Sequence, residues 1–206
     1  MKEYSRVGNC TSLESFLSLT RNLGGIIYHP NGELYDAVTA NDGTSARAGS
    51  FSQKFGFQEF PLHTDTAFWG VPARLLIMWS PKASTTPTTI LSWNDILDRF
   101  SERDRRYISD AIFTVHTYEC IKYSSLNFIS AGEKGFRYDP NIMIPANRQG
   151  EVFVNLFNEI IRETQLTEFH WSGSNALILD NWNMLHGRRN IENMHEGRII
   201  FRAYVR

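Results

Sequence analysis

The tripeptide His63-Thr64-Asp65 sets an imidazole and a carboxylate two positions apart. Alternate side chains of a strand share a face, so both groups can reach one metal ion. The match is worth little alone: 6 His and 22 Asp plus Glu in 206 positions yield such tripeptides by chance, and a metal needs a third ligand. His29, His116, His170 and His195 sit beside a turn, at an expected helix end, in a mixed segment and in a polar loop. His186 differs, because it follows Ala176-Leu-Ile-Leu-Asp180-Asn-Trp-Asn-Met-Leu185, a buried-strand pattern entering a turn, and precedes Gly187-Arg188-Arg189. Two histidines and one carboxylate from distant strands form the facial set that leaves half of an octahedral iron open to small ligands. Zinc also accepts this set, with water in a fourth position and hydrolysis as the outcome.

The end of the chain separates these chemistries. In Arg198-Ile-Ile-Phe-Arg202-Ala-Tyr204-Val-Arg206, strand alternation puts Arg198, Ile200, Arg202, Tyr204 and Arg206 on one face and the apolar residues between them on the other. A solvated edge strand would explain the pattern. Inside a barrel, the same guanidinium groups would require an anion such as a dicarboxylate, since a buried cation without a partner is costly. Of the 21 basic residues 16 are Arg, the side chain whose rigid fork grips carboxylates.

These groups need elements to hold them. Residues 11–24 predict a helix, with a capping-box pattern from Thr11 to Glu14 and a glycine stop. Residues 26–28 and 33–38 predict strands paired across Pro30-Asn31-Gly32, and 39–50 a mobile loop. Residues 51–68 read as aromatic-rich and extended, and 73–79 as a buried strand. Helical patterns over 93–115, where Ser101 caps 102–115, and over 151–164 make a helical insertion at about residues 93–165. Strands at 176–179 and 199–205 close a single domain over 1–206, mainly β with flanking helices. At 42% hydrophobic the chain can fill one core, and its net charge of -1 argues against nucleic acid or an anionic membrane as partner. The longest apolar run, 75–79, is far below the roughly 18 residues of a membrane span, and the start has no signal-peptide core. A cytoplasmic protein with a small-molecule partner is expected, its oligomeric state left open. Cys10 and Cys120 are too few for a disulfide framework or a cysteine metal cage.

The order His-x-Asp, Thr, Asp-Asn-x-x-x-x-His-Gly-Arg, Arg-x-x-x-Arg resembles the Fe(II)/2-oxoglutarate-dependent oxygenases, nearest to their taurine dioxygenase and clavaminate synthase-like branch. The matching stretches are 60–68, 88–93, 176–188 and 198–202. The resemblance implies a double-stranded β-helix, or jelly roll, with Fe(II) held by His63, Asp65 and His186. It further implies that Arg202 and Thr89 bind the distal carboxylate of 2-oxoglutarate, with Arg198 near the cosubstrate's other end. Thr88 is the competing alignment, because Thr86-Pro87 replaces the family's Gly-Gly. The implied reaction consumes O2 and 2-oxoglutarate, releases succinate and CO2, and hydroxylates an unactivated C–H bond of a small polar metabolite, an amino acid or its derivative. Halogenating relatives carry a small residue in place of the carboxylate ligand; Asp65 is present, which favours hydroxylation.

Phe57, Phe68, Trp69 and Trp182 are candidates to line such a site and exclude water. If 51–65 is extended throughout, Glu59 shares a face with His63 and Asp65 and would take a substrate amino or guanidinium group. Arg188 and Arg206 are the candidates to take a substrate carboxylate. The competing readings are a non-catalytic jelly-roll module binding a small acid or a protein partner, and a zinc hydrolase, in which the Arg-x-x-x-Arg strand has no purpose.

Overall fold

The computed structural model describes residues 5–29, 32–44, 46, 50–118, 120–194 and 196–206. The chain runs through β1 (Ser5–Asn9), α1 (Leu13–Leu23), β2 (Ile26–Ile27), β3 (Asp36–Thr39), α2 (Phe51–Phe55), β4 (Phe60–His63), β5 (Leu75–Trp79) and β6 (Ala83–Ser92). A middle region follows, with α3 (Trp93–Leu97), α4 (Glu102–Ile108), β7 (Ile112–His116), β8 (Ile121–Ser125), β9 (Asn127–Ser130), β10 (Glu133–Phe136), β11 (Met143–Pro145) and α5 (Arg148–Glu163). The last quarter holds β12 (Thr167–Ser172), β13 (Asn175–Asp180), β14 (Met184–Arg188) and β15 (Ile199–Val205). The fold is mainly β, with antiparallel sheets and few helices.

Two sheets carry the site. One has the order β1-β13-β5-β15-β2, with β3 also paired to β15; the other has the order β12-β6-β14-β4. Leu76, Met78, Leu177, Leu179, Ile200 and Tyr204 of the first meet Ile90, Phe169, Trp171 and Met184 of the second in one buried cluster. The opposite face of the first sheet, with Ile77, Trp79, Ala203 and Val205, is covered by Phe16 of α1. β15 is therefore interior, flanked by β5 and by β2 and β3, and the solvated-edge explanation of its alternation fails.

Several expectations are corrected. The capping box of α1 is one residue later than the pattern suggested, since Ser12 and Ser15 cap each other's backbone. The strands around 26–38 do not pair with each other; β2 and β3 lie end to end along β15, and the Pro30-Asn31 part of the expected turn, like residues 45 and 47–49 of the 39–50 loop, falls outside the described residues. The extended reading of 51–68 is interrupted by α2, capped by Ser50. The helical insertion is half strand: α4 ends at Ile108, and Ile112–His116 is β7 at the centre of a three-stranded sheet, order β11-β7-β8. Phe113 and Val115 of β7 alternate into the core with Trp93, Phe153 and Phe157 of the helices, so packing at period two overrode a helical pattern. Among the described residues, no helix is long and apolar enough to cross a membrane.

Candidate metal centre

β14 pairs with β4 in a register that sets His186 opposite His63, with ring centroids 4.2 Å apart. Directly opposed residues share a face, so both imidazoles project together. The close approach depends on Gly187: a Cβ there would fall 2.7 Å from the Phe60 carbonyl oxygen and 3.0 Å from Thr89 Oγ1.

Asp65 lies beyond β4, on a loop tied down by hydrogen bonds. The Thr64 N–H donates to the Tyr138 carbonyl at 2.8 Å, and the Tyr138 N–H returns to Thr64 Oγ1 at 3.2 Å. Thr66 takes a left-handed φ of 57° and donates its hydroxyl to the Asp65 carbonyl at 2.6 Å. The buried Arg137 fork then caps the carbonyls of Ala67, Trp69 and Gly70 at 3.3, 2.6 and 2.9 Å. Asp65 Oδ1 ends 3.6 Å from His63 Nε2, and Oδ2 3.8 Å from His186 Nε2. One ligand atom from each residue lies within 4.8 Å of the other two, and all three residues are buried.

This donor set fits a metal. His63 Nδ1 is 3.0 Å from the Pro61 carbonyl; donating there, it leaves the Nε2 lone pair directed at the carboxylate. Asp65 Oδ2 is buried without a hydrogen-bond partner, a cost that a cation would remove. Burial pushes His186 down to about 3, reinforced by the neighbouring His63, so its imidazole is neutral and able to bind metal. For Asp65, burial is outweighed by Arg202 and both imidazoles, which hold the carboxyl far below its ordinary range. For His63, burial is outweighed by the Asp65 hydrogen bond and charge, and its pKa rises.

Arg202 of β15 and Arg198 just before it reach different surroundings. Arg202 places Nη1 3.3 Å from Asp65 Oδ1, and Nε and Nη2 3.0 and 2.9 Å from Asp36 Oδ2. Arg198 is buried with Nη2 3.4 Å from Thr88 Oγ1 and Nε unpartnered, and among the described residues no carboxylate lies within ion-pair distance. Burial, with Arg188 nearby, outweighs the opposing charge of Glu196 and lowers its pKa to about 10, so it stays charged at neutral pH.

The expected pairing of Arg202 with Thr89 does not form. Arg188↔Thr88 and His186↔Ile90 are cross-strand pairs, which puts Thr88 on the face of His186, whereas Thr89 pairs with Gly187 on the other. Thr88 also accepts from the Trp171 indole at 3.1 Å. Arg202 lies too near Asp65 to meet the far end of a diacid whose near end chelates a metal there.

The substrate candidates are mostly diverted. Glu59 is half exposed and 3.5 Å from Arg189; it precedes β4, whose register with β14 shifts between His63↔His186 and Phe60↔Arg188, so the period-two alignment with His63 is lost. Arg188 donates to the carbonyls of Gly56 and Gln58 at 2.8 and 2.5 Å, so its fork holds the loop before β4. Phe68 packs on the helical core, and Trp182 donates to the Pro72 carbonyl at 2.9 Å under Arg74. Trp69 lies edge-on to Tyr204 at 5.8 Å, and the ring set directly against a ligand candidate is Phe60, 4.8 Å from His63. Sequence reading missed Asp36, Arg137 and Trp171. A lone carboxylate on a short strand carries no local signal, nor does a lone buried Arg.

No family model matches the chain, and no curated protein matches it. Solved structures do. An asparagine oxygenase in complex with Fe(II), 2S,3S-3-hydroxyasparagine and succinate superposes with a TM-score of 0.70 at 15% identity, over 88% of this chain and 59% of that one. The non-heme iron oxygenase OrfP with Fe, succinate and (3S)-hydroxy-L-Arg gives 0.70 at 19% identity, over 94% and 64%. PvcB from Pseudomonas aeruginosa gives 0.72 at 14% identity, over 98% and 75%. The chain has the fold of these proteins and spans about three fifths of the length of the first two.

Proposed function

We propose that the chain is a single-domain Fe(II)- and 2-oxoglutarate-dependent oxygenase that hydroxylates a small polar metabolite of the amino-acid class. The observation that carries this reading is a buried His63, Asp65 and His186 set facing the same inter-sheet space as a buried Arg198 that makes no direct ion pair among the described residues. The two main sheets correspond to the halves of a jelly roll. Two free cysteines fit a reducing, cytoplasmic setting.

His63, Asp65 and His186 would hold Fe(II), which with 2-oxoglutarate and O2 supplies the oxidising chemistry and leaves succinate and CO2. Arg198 binds the distal carboxylate of 2-oxoglutarate, which gives the buried guanidinium a direct ion-pair partner. Thr88 Oγ1 accepts from Trp171 and Arg198, so its hydroxyl proton is free to donate to the same carboxylate. Beside the metal ligands, the half-buried Arg202 and Asp36 pair presents both signs of charge. A zwitterionic head group matches it, carboxylate to Arg202 and ammonium to Asp36. The hydroxylated amino acids in the asparagine oxygenase and OrfP complexes support that substrate class.

Anaerobic addition of Fe(II) and 2-oxoglutarate should give a visible charge-transfer band that His186→Ala abolishes. No band, together with no O2-dependent succinate, overturns the assignment.

A further inference from the structure

Asp65 is the only member of the ligand set outside a strand, and a side chain 116 positions away holds its backbone. Asn181, buried in the turn between β13 and β14, accepts the Asp65 N–H on Oδ1 at 3.1 Å. Its Nδ2 donates to the carbonyls of Asp65 and Ala73, both at 2.9 Å. Both amide donors and the acceptor are thereby used, a combination no carboxylate or hydroxyl of that shape supplies. The turn is itself fixed, since the Asn181 N–H donates to the Arg74 carbonyl at 2.9 Å and Asp180 accepts from the Trp182 N–H and from Asn183 Nδ2. Five residues on, the same segment delivers His186.

We propose that Asn181 is a positioning residue for the metal centre: its amide presets Asp65 against His186, so metal affinity depends on it beyond any effect on folding. This rests on reading His63, Asp65 and His186 as metal ligands. Groups that orient metal ligands are typically worth roughly 10- to 100-fold in metal affinity. In Asn181→Asp the shape is kept, but an anionic oxygen is set against two carbonyl oxygens.

Co(II) titration of the metal-free protein, followed by its visible ligand-field bands, reads affinity without turnover. Wild type should bind, and His186→Ala should not; absence of bands in wild type would sink the metal reading itself. Given wild-type binding, Asn181→Asp should raise the Co(II) Kd by roughly 10-fold or more. Trp182→Phe is the control, removing a hydrogen bond from the same turn to the Pro72 carbonyl without touching Asp65. It should lower Tm and leave the Co(II) Kd unchanged. An unchanged Kd in Asn181→Asp, or an equal rise in Trp182→Phe, overturns the proposal. Should Asn181→Asp not fold, NMR of wild type during Zn(II) titration decides. The Asn181 side-chain amide protons should shift with the Asp65 amide while the Trp182 indole proton stays; an unmoved Asn181 amide overturns the proposal.

Discussion

Arg198, just before β15, and Arg202, within it, lie four residues apart, yet Arg202 is ion-paired inside the protein and Arg198, among the described residues, has no direct ion pair. Arg202 spreads its donors over Asp36 and Asp65, whereas Arg198, among the described residues, meets the Thr88 hydroxyl and keeps an idle Nε, with Glu196 acting only at longer range. A buried cation with internal partners is structural glue; one without them destabilises the empty protein and is tolerated where a ligand brings the anion. Removal of the two should therefore have opposite consequences. Arg198→Met should weaken 2-oxoglutarate binding by about 3 kcal/mol, more than 100-fold, while the metal-free protein keeps its stability or gains about 1 kcal/mol. Anaerobic titration of the charge-transfer band and urea unfolding measure the two quantities. A loss of stability with intact 2-oxoglutarate affinity would invert the assignment.

Arg202→Met should do the reverse. Asp65 would lose a counter-ion inside the protein, and Asp36 one at its margin. A fully buried pair broken this way costs more, but the Arg202 and Asp36 side chains are 28% and 26% exposed, so solvent compensates in part. A loss of about 2 kcal/mol in urea unfolding of the metal-free protein is expected. If both arginine variants lose equal stability, the contrast between the two ends of β15 collapses.

The histidines extend the comparison to pH. In the metal-free protein His186 stays neutral down to about 3, while the unfolded chain protonates it near its ordinary pKa. Across that window the unfolded state binds the extra proton, so stability falls as pH falls, by up to about 1.4 kcal/mol per unit. His63, with its pKa raised, acts oppositely: its contribution is complete at low pH and is lost as pH rises through the elevated folded value. Urea midpoints of the metal-free protein at about pH 7 and pH 5 should differ in that sense, and His186→Gln should flatten the slope. An equal slope in that variant would place the titrating group elsewhere.

What the sequence disclosed follows the range of each interaction. His63 and Asp65 were legible because they are two residues apart, although Asp65 turns out to lie on the loop beyond β4 and not on the strand, and His186 because a buried-strand pattern ran up to it. The Asp180-Asn181 step was also in plain view, but its use, an amide facing another loop, is a tertiary fact. Glu59 went astray through an irregularity in β4: His63 faces His186 but Phe60 faces Arg188, three residues against two, and the extra residue breaks the alternation on which its alignment with His63 depended. The middle region was misread for a related cause. Ile112-Phe-Thr-Val is β-branched and aromatic, and continuing the 102–108 helix through it ignored that preference. The choice between Thr88 and Thr89 could not be made from spacing, since adjacent strand residues face opposite ways and only the register with β14 says which faces in.

That choice yields the smallest of the expected effects and the finest test of the β15 comparison. Thr88 touches Arg198 and Trp171, while Thr89 stands beside Gly187 on the other face of β6. Thr88→Val keeps the shape and deletes one hydroxyl that would donate to the carboxylate, so 2-oxoglutarate should bind about 1 kcal/mol more weakly, between 3- and 10-fold. Thr89→Val should leave that affinity unchanged, although both threonines are buried and either substitution can alter stability. Both substitutions are nearly isosteric, so a difference confined to the 2-oxoglutarate titration isolates the face of the strand. Were Thr89→Val the weaker binder, the anion would lie outside the space shared by Arg198 and His186, and the two ends of β15 would no longer be opposites.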